Sequence, residues 1–361
     1  MKKVLIFTYS THVGGSEIHA YKILKILDDI SFDWMVLEEA NNDLTRKIKS
    51  CQNLDKYIPL GFSGFRSMKA LRQIYKIHAF LKINNYEVVY AVGFIPSLIV
   101  SLIKAMHNFR LISTRRERMP WAKYYHRPFI SLTELMSDYI ETNSIKIKEE
   151  LDHSFTTKMK GYYLQNIIIK GHSEKNSIFK KDIKYIGNVA NVRMAKNIDL
   201  FLSIAHKVIQ QRSDVVFIIT GKDSEDSKVK NFIKKNNLLG RLLILEDISY
   251  DNIFSIYKGL NIFLFTSKYE GSPNVLNEAM SESIPVVASK IPATQEMIVN
   301  GFNGYICSLS NEQEFIEALN KLLDDKDLYN RIKINTLEHY KKRESKHKAI
   351  ETINEKFFGL L

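Results

Sequence analysis

Phe265–Ser289, FTSKYEGSPNVLNEAMSESIPVVAS, is the stretch on which the reading of this chain turns. The apolar run Asn261–Phe265 reads as a strand that ends just as the quoted segment begins. A short polar loop carries Glu270 and Gly271, and a helix is predicted over Pro273–Glu282, with Ser272 as its N-cap and Pro273 at the first helical position. The N–H groups of Asn274, Val275 and Leu276 then have no carbonyl partner one turn back, which makes the helix start a site for an anion such as a diphosphate. Gly271 lets a ligand approach the backbone. Glu278 follows Glu270 by eight positions and sits about one and a half turns into the helix. Like charges repel, so a carboxylate there is a poor phosphate ligand, but it accepts strong hydrogen bonds from a vicinal diol such as ribose. Taken alone, the segment also fits a helix start with a surface Glu.

Working outward, short apolar runs alternate with amphipathic ones in both directions. Strands are predicted at Lys3–Thr8, Phe32–Leu37, Glu87–Val92, Arg110–Ser113, Tyr139–Thr142 and Gly161–Leu164, with helices at Ser16–Asp28, Phe65–Lys82 and Ser97–Met106. The alternation restarts after residue 170. Strands are predicted at Ile183–Gly187, Val215–Thr220, Leu242–Leu245, Asn261–Phe265 and Pro285–Ser289, with helices at Asn197–Gln210, Asp226–Asn236 and Asn252–Lys258. Three helices, Asn311–Leu323, Lys326–Tyr340 and Ser345–Phe358, close the chain. Strand–helix alternation implies βαβ units and parallel sheets. The expected class is α/β with two Rossmann-like domains whose parallel sheets face each other across a cleft. Residues 1–170 form the acceptor-side domain and 171–340 the nucleotide-binding domain. Residues 341–361 form a helix packing back toward the first domain.

Of 361 residues, 45% are hydrophobic and 25% charged, which is ordinary globular composition. Cys51 and Cys307 lie in separate halves, so neither a disulfide framework nor a Cys-based metal site is expected. Val4–Phe7 is too short for a signal h-region. The uncharged stretch Val88–Ile103 is broken by Gly93 and Pro96 and too short to span a bilayer. The net charge of +12 is concentrated: residues 45–130 hold 16 Lys and Arg against Asp55, Glu87 and Glu117 alone. Such a region attracts anions, whether a phosphorylated substrate or an anionic membrane surface. A solvated lysine-rich surface explains it equally well. No nucleic-acid motif accompanies it, and nucleic acid is not expected as a partner. Trp121, Tyr124, Tyr125 and Phe129, beside Lys123 and Arg127, suit either a lipid or sugar acceptor or the core. Asp325-Lys326-Asp327 lies between helices and reads as a solvated turn, so no metal is expected.

The spacing of Glu270 and Glu278, in EGSPNVLNEAM followed by SIPVVAS, resembles the signature of family-4 (group 1) glycosyltransferases, retaining enzymes of the GT-B fold. The resemblance implies that Glu278 binds the donor ribose and that Glu270 lies beside the donor sugar. It implies too that the backbone from Gly271 through Ser272, Pro273, Asn274 and Val275 to Leu276 holds the diphosphate. Tyr185–Asn197, YIGNVANVRMAKN, is similar to the family segment ending in a diphosphate-neutralising lysine, which Lys196 matches. Where the family often has Arg this chain has Asn191, and Arg193 is the nearby cation that takes the charge role. A cation fixed beside a leaving diphosphate lowers the barrier, because negative charge grows there in the transition state. Gly14-Gly15-Ser16-Glu17 resembles the family's first loop, which approaches donor phosphate and acceptor. It is not a GxGxxG fingerprint. Phe217–Gly221 resembles the segment bordering the nucleobase, and Asn143-Ser144 and Asn166 match lesser landmarks. The family's frequent His after the strand matching Leu111–Thr114 is replaced by Arg115, Arg116 and Glu117, which makes Arg115 and Arg116 the acceptor-side candidates.

The expected activity is therefore transfer of a hexose-type sugar, with retention, from a nucleotide sugar, UDP by family frequency. The acceptor is a saccharide or lipid-linked saccharide in cell-surface polysaccharide synthesis. No cofactor is expected, and the expected location is the cytoplasm, either free or attached to the inner face of the membrane. Two alternatives stay open: a nucleotide-sugar epimerase or hydrolase of the same fold, and a non-catalytic nucleotide-sugar-binding protein.

Overall fold

Central strands of parallel sheets are covered on both faces and read as continuous apolar runs. The computed structural model follows that rule. It describes residues 3–12, 15–27, 30–61, 68–116, 123–154, 156–170, 178–223, 227–248, 252–343 and 346–359. The first sheet contains β1 (Lys3–Ser10), β2 (Ser31–Glu38), β3 (Leu54–Pro59), β4 (Val88–Val92), β5 (Arg110–Thr114), β6 (Tyr139–Thr142) and β7 (Gly161–Tyr163). Their order is β3-β2-β1-β4-β5-β6-β7, and every pairing is parallel. The second contains β8 (Lys184–Val189), β9 (Val215–Thr220), β10 (Leu242–Leu245), β11 (Ile262–Phe265), β12 (Val286–Ser289) and β13 (Tyr305–Cys307). Its order is β10-β9-β8-β11-β12-β13, again all parallel. The chain thus has the expected class, two Rossmann-like α/β sheets of the GT-B kind.

The chain divides into two compact units, Met1–Ile167 with Ser345–Leu361, and Ile168–Glu344. In the second unit, successive residues of β11 serve opposite layers. Ile262 and Leu264 pack with Phe201, Leu202, Phe315 and Leu319 of the helices Ile198–Gln211 and Glu312–Asp324. Phe263 and Phe265 pack with Phe254, Leu276, Ala279 and Met280 of Ile253–Tyr257 and Asn274–Ser281. Each such side chain contributes roughly 1.5–3 kcal/mol by burial. In the first unit, Phe357 of the last helix, Lys346–Phe358, packs on Tyr90 of β4 with ring centroids 5.5 Å apart. Arg110 Nη1 donates to the Lys356 carbonyl at 3.1 Å.

Strands β3 and β13 were not foreseen. LDKYIP in β3 is an edge strand with most side chains half-buried or exposed, so it shows no alternation, and β13 is three residues long. The helices Asp43–Lys49, Arg127–Met136 and Ile145–His153, of seven, ten and nine residues, also escaped the sequence reading. Gly14, Glu117, Trp121, the expected helix starts at Phe65, Asp226 and Ser345, and residues 171–177 lie outside the described residues.

Each sheet reverses its strand order beside its first strand, between β1 and β4 and between β8 and β11. Ligands of open α/β sheets collect at such points, outside the carboxyl ends of the strands. The segments leaving β8 and β11 are the ones the sequence singled out.

Candidate active site

The chain leaves β8 through Ala190, whose N–H donates to Thr220 O at 2.9 Å, and Val192, whose N–H donates to Lys222 O at 2.9 Å. The Asn191 side chain accepts from the Lys222 N–H at 2.9 Å, so it joins two loops and does not replace a cation. A single turn, Met194–Lys196, follows, closed by Asn197 in a left-handed conformation. The segment leaving β11 is tied to this turn: Lys268 N–H donates to Ala195 O at 2.8 Å, and Thr266 Oγ1 to Lys196 O at 3.1 Å. Ser289 Oγ, from the end of β12, holds the Ser267 carbonyl at 2.6 Å. Three strand ends thereby fix one loop.

On this frame Lys196 Nζ meets Glu270 Oε1 at 2.5 Å, with the two side chains 23% and 20% exposed. Ser267 Oγ donates to the same carboxylate oxygen at 3.3 Å. Arg193 is exposed and makes no ion pair with a described residue. The cation and the carboxylate are thus partly open to solvent, with a second cation nearby in sequence.

The helix that follows begins one residue later than predicted. Pro273, not Ser272, is its N-cap, with an extended backbone (ψ 107°) and no side-chain cap, and Asn274 is the first helical residue. The Pro273 carbonyl accepts from Leu276 N–H at 3.1 Å, so Leu276 does not share in the bare helix start, which falls to Asn274 and Val275. Gly271 and Ser272 are half-buried beside it. Glu278 is 4% exposed, and its Oε2 accepts from the Tyr257 hydroxyl at 3.0 Å. Tyr257 also reaches Val275 O at 3.3 Å, tying the first helical turn to the deeper carboxylate. Gly221 has a φ of +148°, and a Cβ would lie 2.4 Å from Ala190 O, so a side chain there would strike the loop that leaves β8.

In the first unit, Gly15 and Glu17 open the helix Gly15–Ile26 after β1. Burial raises the Glu17 carboxyl above its usual range, against its own backbone hydrogen bond and Arg116. Arg115 Nη1 pairs with Glu134 at 3.1 Å. Arg116 is mostly buried, with Nη1 on Glu141 Oε1 at 2.6 Å and Nη2 on Asn166 Oδ1. Glu141, fully buried on β6, also accepts from the Tyr90 hydroxyl at 2.7 Å and lies 3.2 Å from His19 Nε2. Burial alone would raise the Glu141 carboxyl, but His19, Arg116 and Tyr90 hold it below its ordinary value. Burial, reinforced by Arg116, pushes His19 down to about 4.

Residues 170–339 match the family described as Glycosyl transferases group 1. The chain is a glycosyltransferase with a group 1 domain. It is similar to the UDP-Gal:alpha-D-GlcNAc-diphosphoundecaprenol alpha-1,3-galactosyltransferase of Escherichia coli, 26% identical over 74% of this chain and 73% of that one. It is similar also to a Campylobacter jejuni enzyme, N-acetylgalactosamine-N,N'-diacetylbacillosaminyl-diphospho-undecaprenol 4-alpha-N-acetylgalactosaminyltransferase, 24% identical over 91% and 92% of the two chains. Among solved structures, Anabaena HepE in complex with UDP-glucose has the same fold, with a TM-score of 0.82 and 16% identity over 100% of both chains.

Sequence reasoning about this glycosyltransferase missed Tyr257 and the Glu141 network. Tyr257 lies in an apolar pentapeptide, IFSIY, and reads as core. Its proximity to Glu278 arises from helix packing, which no local pattern reports. Glu141, in DYIETNS, interrupts an apolar strand with a carboxylate, and that misplaced charge was the available signal.

Proposed function

We propose that this glycosyltransferase moves a hexose-type sugar, with retention, from a UDP-sugar to a saccharide acceptor carried on a lipid diphosphate, in the building of cell-surface polysaccharide. The observation that carries the reading is the Lys196–Glu270 pair standing at the uncapped start of the helix in which Glu278 is buried. The diphosphate takes the N–H groups of Asn274 and Val275, and Lys196 with Arg193 supplies positive charge. Glu278, oriented by Tyr257, accepts from the ribose hydroxyls, and Glu270 orients the sugar. The acceptor oxygen bonds to the anomeric carbon as the bond from that carbon to the phosphate oxygen breaks. The acceptor proton passes to the departing phosphate. UDP-glucose in the HepE complex and the diphospholipid acceptors of two relatives support donor and acceptor class. Because cations and a helix start supply the charge, we propose that no divalent ion takes part, and EDTA should leave the rate unchanged.

The test is a thermal-shift screen against UDP-, GDP- and ADP-sugars, then turnover of the best donor with α-GlcNAc-diphosphoundecaprenol. A UDP-sugar is expected to stabilise the protein, and Glu278→Ala to remove both the shift and the transfer. Wild-type turnover by that variant would remove the site assignment.

A membrane-surface location rests on a separate observation. On the helix Met68–Asn84, Leu71, Tyr75 and Ile83 are 63%, 71% and 79% exposed, among exposed Arg72, Lys76 and Lys82. A basic, apolar face of this kind suits an anionic interface. No described helix is long and apolar enough to cross a membrane. Flotation with phosphatidylglycerol vesicles, and none with phosphatidylcholine, is the expected result.

A further inference from the structure

Glu141 is a fully buried carboxylate at the carboxyl end of a parallel sheet, and side chains from three other parts of the unit converge on it. Tyr90 comes from β4, Arg116 from just beyond β5, and His19 from the first turns of the helix Gly15–Ile26; Glu141 itself lies on β6. Asn166, beyond β7, accepts from Arg116 and, at 3.3 Å, from Asn143 Nδ2. Burying a carboxylate and a guanidinium is costly, and apolar side chains of similar volume would hold a sheet end as well or better. The network is also incompletely paired internally. His19 Nδ1, Asn143 Oδ1 and the Tyr162 hydroxyl are buried without a hydrogen-bond partner among the described residues. Such a cluster is a poor stabilising device. It stands at the carboxyl end of the sheet, where ligands of open α/β sheets collect, and His19 ties it to the helix that begins at Gly15.

We propose that Glu141 is a positioning residue for the acceptor: it fixes the Arg116 guanidinium so that its remaining N–H groups meet the hydroxyls of a neutral acceptor saccharide. The proposal rests on the transferase reading above. A guanidinium has five N–H donors, and among the described residues Glu141 and Asn166 engage two of them. The charges of Arg116 and Glu141 cancel, so the assembly favours hydroxyl groups over a phosphate. Tyr90 and His19 hold the carboxylate from its other sides.

Glu141→Gln and Arg116→Gln test this with UDP-galactose as donor and α-GlcNAc-diphosphoundecaprenol as acceptor. Hydrolysis of the donor without acceptor is measured alongside transfer, and UDP affinity by calorimetry. The acceptor KM is expected to rise at least about tenfold in each variant, equivalent to loss of one charge-assisted hydrogen bond. Hydrolysis and UDP affinity should stay near wild type, and the double variant should be no worse than the weaker single one. Unchanged acceptor KM in Glu141→Gln, or equal loss of hydrolysis and transfer, overturns the proposal. If Glu141→Gln does not fold, Tyr90→Phe replaces it, with a rise of about threefold expected in acceptor KM and an unchanged value overturning the idea. Wild-type protein that neither hydrolyses nor transfers from any UDP-sugar would sink the transferase reading itself, a result distinct from wild-type kinetics in the variants.

Discussion

Lys196 and Glu270 lie 74 residues apart in sequence, and Nζ of the one sits 2.5 Å from Oε1 of the other. The carboxylate neutralises the cation that the diphosphate needs, so the two anions compete for it. Glu270→Gln should therefore bind UDP, which lacks the sugar, about tenfold more tightly while transfer falls. Lys196→Ala should lose UDP affinity and about a hundredfold in kcat. Calorimetry with UDP and initial rates with the UDP-sugar check both. Weaker UDP binding by Glu270→Gln would mean that the carboxylate orders the lysine for the phosphate instead of withholding it.

Tyr257 and Glu278 are both buried, and their 3.0 Å hydrogen bond fixes the carboxylate. Tyr257→Phe removes one hydroxyl with little change of shape. The expected cost is about 1 kcal/mol in stability, with a loss of about fivefold in UDP affinity as the ribose acceptor loses its orientation. A variant with lowered melting temperature but unchanged UDP affinity would confine Tyr257 to packing.

Gly221 is a backbone requirement. Its φ of +148° and the 2.4 Å approach of Ala190 O to a built Cβ leave no room for a side chain. Gly221→Ala should cost about 3 kcal/mol through strain and displacement of the loop after β8, lowering the melting temperature by roughly 10 °C. Because that loop carries Lys196, transfer should fall too. Differential scanning calorimetry reads the first effect, and a melting temperature within about a degree of wild type would refute the argument.

The sheets were legible because β2, β4, β9, β11 and β12 are buried almost throughout and so appear as unbroken apolar runs. Glu270 and Glu278 were legible because one loop and one helix set their spacing. The relations that the sequence hid are the long-range ones. Tyr257 meets Glu278 only after two helices pack, and Gly221 yields its space to a loop 30 residues earlier in the chain. Arg116 read as a cation without a partner because nothing local announces that Glu141, 25 residues on, pairs with it. The one-residue shift of the helix start has a similar origin. Pro273 can precede a helix as readily as begin it, and only its extended ψ decides.

The buried His19 makes stability depend on pH. Burial holds its folded-state pKa near 4, against an unfolded value of about 6.5. As pH falls below about 6.5, the unfolded chain takes up a proton that the folded chain refuses, so stability is lost progressively down to pH 4. The loss attributable to His19 is about 2 kcal/mol by pH 5. Glu141 acts in the same direction lower down: its depressed pKa contributes stability above the unfolded carboxylate value, lost as pH falls through the folded one. His107 and His339 are also lowered by burial and add to the wild-type slope. The difference between wild type and His19→Gln isolates the one residue. Urea melts at pH 7.5, 6.5, 5.5 and 5.0 should show a shallower decline in the variant, and parallel curves for the two proteins would mean that His19 titrates in the folded state as it does in the unfolded chain.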